Sequence, residues 1–303
     1  MRKTLLSALI LACLALPAQA EPPKVLVSIK PLHSLVASVM QGVAEPGLIV
    51  SGNSSPHGYT MRPSDARALE QAKLIIWVGK EFETWLERPL SKRQDTLSMM
   101  SLPGLTRLDT REGGVWEPHA HDHGDHHDEH DETDGHVWLD TGNATLLVKA
   151  VSDRLSALDP AHASRYAANA EATRQRLAAL DSDLKARLAP LAQRPYVVFH
   201  DAHQYFEARY GLSPAGAITV DPERHPGAKR MAALRERLKS AKAACVFGEP
   251  GTPTATARNL AESTGIRLGQ LDPEGLLVES GPESYFQQMQ GLATAIAECL
   301  SAR

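Results

Sequence analysis

The chain lacks the short signatures of the common enzyme classes. It contains no HExxH, no GxSxG, no GxxxxGK[ST] and no GxGxxG after a predicted strand. It has three cysteines and no CxxC pair, which does not indicate a thiol redox enzyme. Aromatic residues are few, at 5%, but 43% hydrophobic content over 303 residues suits an α/β protein of two domains. Together with the ligand set described below, these absences favour a binding site over a catalytic one.

Long apolar runs are absent except at the N-terminus. A basic start precedes a largely apolar stretch at residues 5–16, and Ala-Gln-Ala stands just before Glu21. This pattern predicts a cleaved secretory signal peptide over residues 1–20 and a mature protein in the periplasm. No later stretch approaches about 20 apolar residues, so no membrane span is predicted. Lipoprotein processing at Cys13 is the alternative, and it fits the sequence less well than Ala-x-Ala cleavage.

Basic residues are absent between Glu117 and His136, where more than half of the 13 histidines fall. Histidine is the commonest metal ligand, and a short His-rich tract is typical of metal binding. Because imidazoles and carboxylates alternate as interchangeable ligands, we expect a flexible loop at residues 117–135 that binds several ions weakly. A solvated insertion without metal is the alternative. The predicted low-affinity ligands are His119, His121, His123, His126, His127 and His130.

The acids of this loop account for the formal net charge of −4, and the rest of the chain is slightly basic. Such a small charge does not indicate nucleic acid as a partner.

Signal-peptide cleavage would remove Cys13 and leave Cys245 and Cys299 as an even pair. In an oxidising compartment we expect these two cysteines to form a disulfide.

Strand-like and helix-like segments alternate along most of the chain. This alternation predicts an α/β fold of parallel sheets flanked by helices. We predict two lobes, residues 21–158 and 193–303, bridged by one long helix at residues 159–192. Asp159 is expected to cap this helix, with Pro160 as its first residue, and leucines spaced by three and four give it an apolar stripe. An ordinary surface helix of one domain is the alternative.

Four potential metal ligands lie at or near the ends of predicted elements. Open parallel sheets bind ligands beyond the carboxyl ends of their strands. His57 lies in the loop after one strand, His200 and Asp272 directly follow two others, and His136 stands where packed structure resumes. Three imidazoles and a carboxylate would fill the four positions of zinc in the cleft between the lobes. Taken alone, a loop histidine such as His57 is more often simply solvated.

Several strings resemble the zinc-uptake solute-binding proteins of bacterial ABC importers, the ZnuA type within the metal-binding cluster A-I family. The resemblance covers essentially the whole mature chain, and the PHGY and FHDA strings are the most specific. The strings are SIKPLHSLVASV (28–39), SPHGYTMRPSDARALEQAKLIIWVG (55–79), GHVWLD (135–140), FHDAHQYFEARYGL (199–212), VFGEP (246–250) and LDPEG (271–275).

The resemblance implies a site and a fold. His57, His136 and His200 match the family's three imidazole positions, and Asp272 matches a carboxylate near the metal. Cys245 and Cys299 match the disulfide pair of Gram-negative zinc members, and the two lobes should move little on metal release. His203 departs from the family pattern and leaves open a second imidazole near the site. It is expected to pack or hydrogen-bond, while His33, His162 and His225 are expected at the surface or at helix caps.

The implied function is capture of Zn²⁺ in the periplasm and delivery to an inner-membrane ABC permease driven by a cytoplasmic ATPase, without covalent chemistry. A periplasmic zinc chaperone is a further candidate partner, and the protein is expected to be a monomer. The alternatives are a manganese- or iron-binding homologue, a cell-surface adhesin of the same family, and a metallohydrolase. Asp272 is the expected fourth ligand, with water as its rival.

Overall fold

Two four-stranded parallel sheets organise the chain, as its alternating pattern predicts. The computed structural model describes residues 21–52, 54–111, 133–219, 222 and 226–301. Each sheet belongs to one lobe, which we call the N lobe and the C lobe in chain order. The strand orders, β2-β1-β3-β4 and β6-β5-β7-β8, are the same pattern used twice.

The N lobe contains the first sheet, and all of its strand pairs are parallel. Its strands are β1 (Val25–Val27), β2 (Gly47–Leu48), β3 (Leu74–Trp77) and β4 (Thr96–Ser98). Its helices are α1 (Lys30–Met40), α2 (Pro63–Gln71), α3 (Thr84–Leu90) and α4 (Thr141–Leu158). The sequence pattern did not predict α3 and β4, because α3 is short and contains Pro89, a residue that normally excludes a helix interior.

The C lobe repeats this arrangement after the long helix α5 (Ala163–Leu188). Its strands are β5 (Tyr196–His200), β6 (Pro214–Thr219), β7 (Cys245–Gly248) and β8 (Arg267–Gln270). Its helices are α6 (Gln204–Tyr210), α7 (Ala228–Ser240), α8 (Thr254–Thr264) and α9 (Ser284–Ser301).

The bridging helix α5 packs against α1 and α4 of the N lobe and against α9. Its buried stripe, from Tyr166 to Leu188, joins the core of the N lobe to one face of the C-lobe sheet in a single hydrophobic cluster. One detail of the prediction is wrong. Asp159 does not cap α5, because a 3-10 turn at Pro160–His162 separates them, and the Asp159 carboxylate instead accepts a hydrogen bond from the Tyr166 hydroxyl at 2.9 Å.

The central strand β5 is buried on both faces, as parallel sheets require. Tyr196 and Val198 face the shared core, whereas Val197 and Phe199 face a second hydrophobic cluster on the opposite side, under α7 and α8.

The predicted disulfide is present and joins Cys245 at the start of β7 to Cys299 in α9. Within the described residues, no helix combines the length and the apolar composition that a membrane crossing needs.

Candidate metal centre

The structure brings together three histidines that lie far apart in the sequence. His57 and His136 come from the N lobe and His200 from the C lobe, and their ligand nitrogens all lie within 4.8 Å of one another. The Nε2 atoms of His57 and His136 are 3.4 Å apart. The ring of His200 is centred 4.9 Å from each of the other two rings. Such convergence of imidazoles suits one borderline metal ion.

His57 is held by the loop that leads into α2. Its backbone N–H donates to Ser55 Oγ at 3.3 Å, and the indole N–H of Trp85 donates to the Pro56 carbonyl at 2.9 Å. The Arg-Pro-Ser-Asp sequence that follows starts α2, where the Asp65 carboxylate accepts the Arg62 backbone N–H at 2.8 Å. The loop between Ser55 and α2 is therefore fastened at both ends.

His136 is oriented by Asp134, an acid that falls within the flexible loop predicted at residues 117–135. The structure buries Asp134, whose Oδ1 accepts both the His136 backbone N–H at 2.9 Å and its Nδ1–H at 2.7 Å. The Nε2 lone pair is thereby left for a metal, which is the usual orientation of a ligating histidine. Gly135 is required between them, because an added Cβ would lie 2.8 Å from Phe82 Cβ.

His200 is the last residue of β5 and is almost completely buried. Its Nδ1 lies 3.2 Å from Glu249 Oε2, so that carboxylate takes the part that Asp134 takes beside His136. The next residue, Asp201, accepts a hydrogen bond from Arg111 Nε at 3.1 Å, and Arg111 also pairs with buried Glu207 at 2.9 Å. Arg111 thus links the segment after β4 to the strand end that carries His200.

Burial shifts the pKa values of two groups at the site. Burial, followed by repulsion from His200 and His136, holds the pKa of His57 well below its usual value, so this ring is neutral at neutral pH. Burial raises the pKa of Glu249 to about 8. On the N-lobe side the site is bordered by the apolar ring of Phe82. The centre of this ring lies 4.7 Å from the ring centre of His57 and 5.1 Å from that of His136.

Asp272, the predicted fourth ligand, has a different set of contacts. Asp272 is not in the group of atoms within 4.8 Å, and its two carboxylate oxygens accept the backbone N–H groups of Leu276 and Leu277 at 2.9 and 2.8 Å. Asp272 as fourth ligand therefore stays a prediction. Two carboxylates that the sequence analysis did not single out contact the histidines, namely Glu249 and Glu274, whose Oε1 lies 3.7 Å from His57 Nε2. In the sequence, Glu249 is noted only as part of the string VFGEP, and Glu274 only as part of LDPEG.

The predicted low-affinity ligands lie outside the described residues, as does His225: His119, His121, His123, His126, His127 and His130. His203 is buried three residues after His200, and burial holds its pKa well below the usual value. His33 was expected at the surface or at a helix cap, but it is buried within α1, with Nε2 3.0 Å from the Pro46 carbonyl. His162 is half-buried and pairs with Asp159 at 2.8 Å.

Two lobes, a bridging helix and an interlobe cluster of imidazoles define a solute-binding protein of the metal-binding class. Residues 25–299 match the family described as zinc-uptake complex component A, periplasmic, and the chain belongs to that family. It is 42% identical over 307 residues to the high-affinity zinc uptake system protein ZnuA of Brucella suis biovar 1, covering 91% of each chain.

Solved structures agree with this assignment. A crystal structure of ZnuA superposes with a TM-score of 0.76 at 25% identity, covering 92% of this chain and 99% of that one. A laminin-binding adhesin from Streptococcus agalactiae superposes equally well, at 0.76, but with 21% identity over 92% of this chain and 99% of the other. The second likeness is evidence for the shared fold alone.

Proposed function

We propose that this protein captures Zn²⁺ between its lobes and delivers it to the membrane component of a zinc importer. The observation that carries the proposal is the convergence of His57, His136 and His200 within 4.8 Å, with ligands drawn from both lobes. Zinc accepts imidazole nitrogen in tetrahedral geometry, whereas Mn²⁺ prefers an oxygen-rich shell. A three-imidazole site therefore favours zinc over manganese.

The proposal includes partners and a location. The family is described as a periplasmic component of a zinc-uptake complex, so its members work with the other components of that complex. For this chain we propose an ABC permease with its ATPase as the recipient, a periplasmic zinc chaperone as a further partner, and a monomeric state. Cleavage of the signal peptide at residues 1–20 would release the mature form into the periplasm.

Calorimetric titration of metal-free protein with Zn²⁺ and with Mn²⁺ tests the proposal. We expect one tight zinc site and much weaker manganese binding at neutral pH. Manganese bound as tightly as zinc would overturn the assignment of the site. Absence of phosphatase, lactamase and peptidase turnover by the zinc-loaded protein would support a role without covalent chemistry, and any such turnover would instead identify a metallohydrolase.

A further inference from the structure

The loop from Leu271 to Val278, which follows β8, is fastened from both lobes next to the three histidines. Three donors from other elements reach its backbone. Trp138 Nε1 and Gln288 Nε2 donate to the Pro273 carbonyl at 2.9 and 2.5 Å. Lys30 Nζ, at the start of α1 in the N lobe, donates to the carbonyls of Gly275, Leu276 and Val278 at 3.4, 3.2 and 3.2 Å.

Asp272 fastens the same loop from within. One of its carboxylate oxygens accepts the N–H of Leu276 at 2.9 Å and the other accepts the N–H of Leu277 at 2.8 Å. A carboxylate with both oxygens used by backbone amides would have to give up at least one of these hydrogen bonds to bind a metal. These two hydrogen bonds indicate that Asp272 holds the backbone of the loop in place.

Glu274 lies at the centre of this fastened loop and is 5% exposed. Its Oε1 is 3.7 Å from His57 Nε2, close to the 3.4 Å that separates the ligand nitrogens of His57 and His136. Tetrahedral ligands that bind zinc at about 2.0–2.2 Å are roughly 3.3–3.5 Å apart. Glu274 also borders the cavity that adjoins the site, together with Ser55, Glu249 and Thr252.

We propose that Glu274 supplies the fourth ligand to the transported zinc ion and that Asp272 is a positioning residue for its loop. The inference rests on the proposed function. Three neutral imidazoles leave the full double charge of the ion in a buried site, and one carboxylate oxygen would offset part of it. Glu249 instead contacts Nδ1 of His200, where it orients that ring as Asp134 orients His136. Glu274 is not among the residues whose ligand atoms all lie within 4.8 Å of one another, which are His57, His136 and His200. Its side chain therefore moves toward the ion as the ion binds.

The test compares Glu274→Gln with Asp272→Asn, both nearly isosteric, after far-ultraviolet circular dichroism has established that each is folded. Zinc affinity is measured by competition with a chromogenic chelator, and the ligand set by the visible spectrum of the Co²⁺-loaded protein. We expect Glu274→Gln to lower zinc affinity by more than about tenfold and to change the cobalt spectrum. Asp272→Asn should weaken binding while leaving the cobalt spectrum of the parent unchanged.

Parent-like affinity and spectrum in Glu274→Gln would overturn the proposal and indicate water at the fourth position. A changed spectrum in Asp272→Asn alone would assign the ligand to Asp272. Failure of the proposed function is distinguishable from both outcomes, because the parent itself would then lack a tight zinc site.

Discussion

The two lobes share one strand order but present different chemistry to the cleft between them. The N lobe offers two imidazoles from loops, His57 and His136, against the apolar ring of Phe82. The C lobe offers one imidazole at a strand end, His200, with the carboxylate of Glu249 beside it, and a second carboxylate, Glu274, that lies 3.7 Å from His57 across the cleft. Strand topology therefore places a site at the cleft, whereas the loops decide which atoms line it. On the C-lobe side, Glu274 is the proposed carboxylate that would compensate part of the charge of a bound cation.

The largest expected effect comes from removing the C lobe's imidazole. His200→Ala should reduce zinc affinity by about a hundredfold or more, because it removes a proposed ligand from a buried site. His200→Glu should shift preference toward manganese, which favours oxygen. Chelator competition with both metals measures these changes.

His203→Ala is the matched control, because His203 is as buried as His200 and lies three residues later in the same lobe. Its zinc affinity should stay within about threefold of the parent. Unchanged zinc binding in His200→Ala, or an equal loss in His203→Ala, would contradict the site.

The disulfide is expected to stabilise the C lobe without affecting the metal. The bond closes a loop with a sequence separation of 54 residues. Replacing Cys245 and Cys299 together by Ala should lower the free energy of unfolding by roughly 4 kcal/mol in the chain-entropy model. Urea unfolding under non-reducing conditions measures this loss, and zinc stoichiometry should not change. Two free thiols in periplasmic material, found by mass spectrometry, would contradict the pairing.

In the N lobe, Glu83 should give stability a pH dependence. It is completely buried just before α3, and its Oε2 accepts the backbone N–H groups of Val78 and Gly79 at 2.7 and 3.2 Å. Burial raises its pKa from 4.5 to about 7. Between these values the folded chain holds a proton that the unfolded chain has lost, so stability falls as pH rises through this window.

Glu83→Gln removes the ionisable group. The free energy of unfolding of the variant, relative to that of the parent, should therefore increase as the pH is raised from 5 to 8. The expected gain is about 3 kcal/mol at most, from the size of the pKa shift. Urea unfolding of both proteins at both pH values gives the difference. An equal difference in unfolding free energy at pH 5 and pH 8 would show that Glu83 does not titrate in this window.

The smallest expected effect concerns the His-rich loop. Deletion of residues 119–130 should lower the number of weakly bound zinc ions and leave the tight site within about threefold of its original affinity. The reason is that His136 is buried and held by Asp134 inside the N lobe. Calorimetry on the intact and deleted forms measures both quantities. Loss of tight binding on deletion would place essential ligands in the loop.

Periodicity predicted the alternating elements, and the even pair of cysteines left after signal-peptide cleavage predicted the disulfide. Strand ends, together with the family resemblance, predicted that His57, His136 and His200 converge. The carboxylate arrangement was not predictable in the same way. Asp134 reads as one more acid of a polar loop, and only folding reveals its burial against His136. Asp272 and Glu274 are two residues apart, and pattern alone cannot decide which of them turns toward the histidines. That choice depends on the backbone hydrogen bonds of the loop they share.

Anomalous X-ray diffraction at the zinc edge, from crystals of the zinc-loaded protein, tests the central claim most directly. We expect one strong peak between the lobes, about 2.0–2.1 Å from the Nε2 atoms of His57, His136 and His200. A principal peak elsewhere, or a peak that lacks contact with His200, would contradict a site assembled from both lobes.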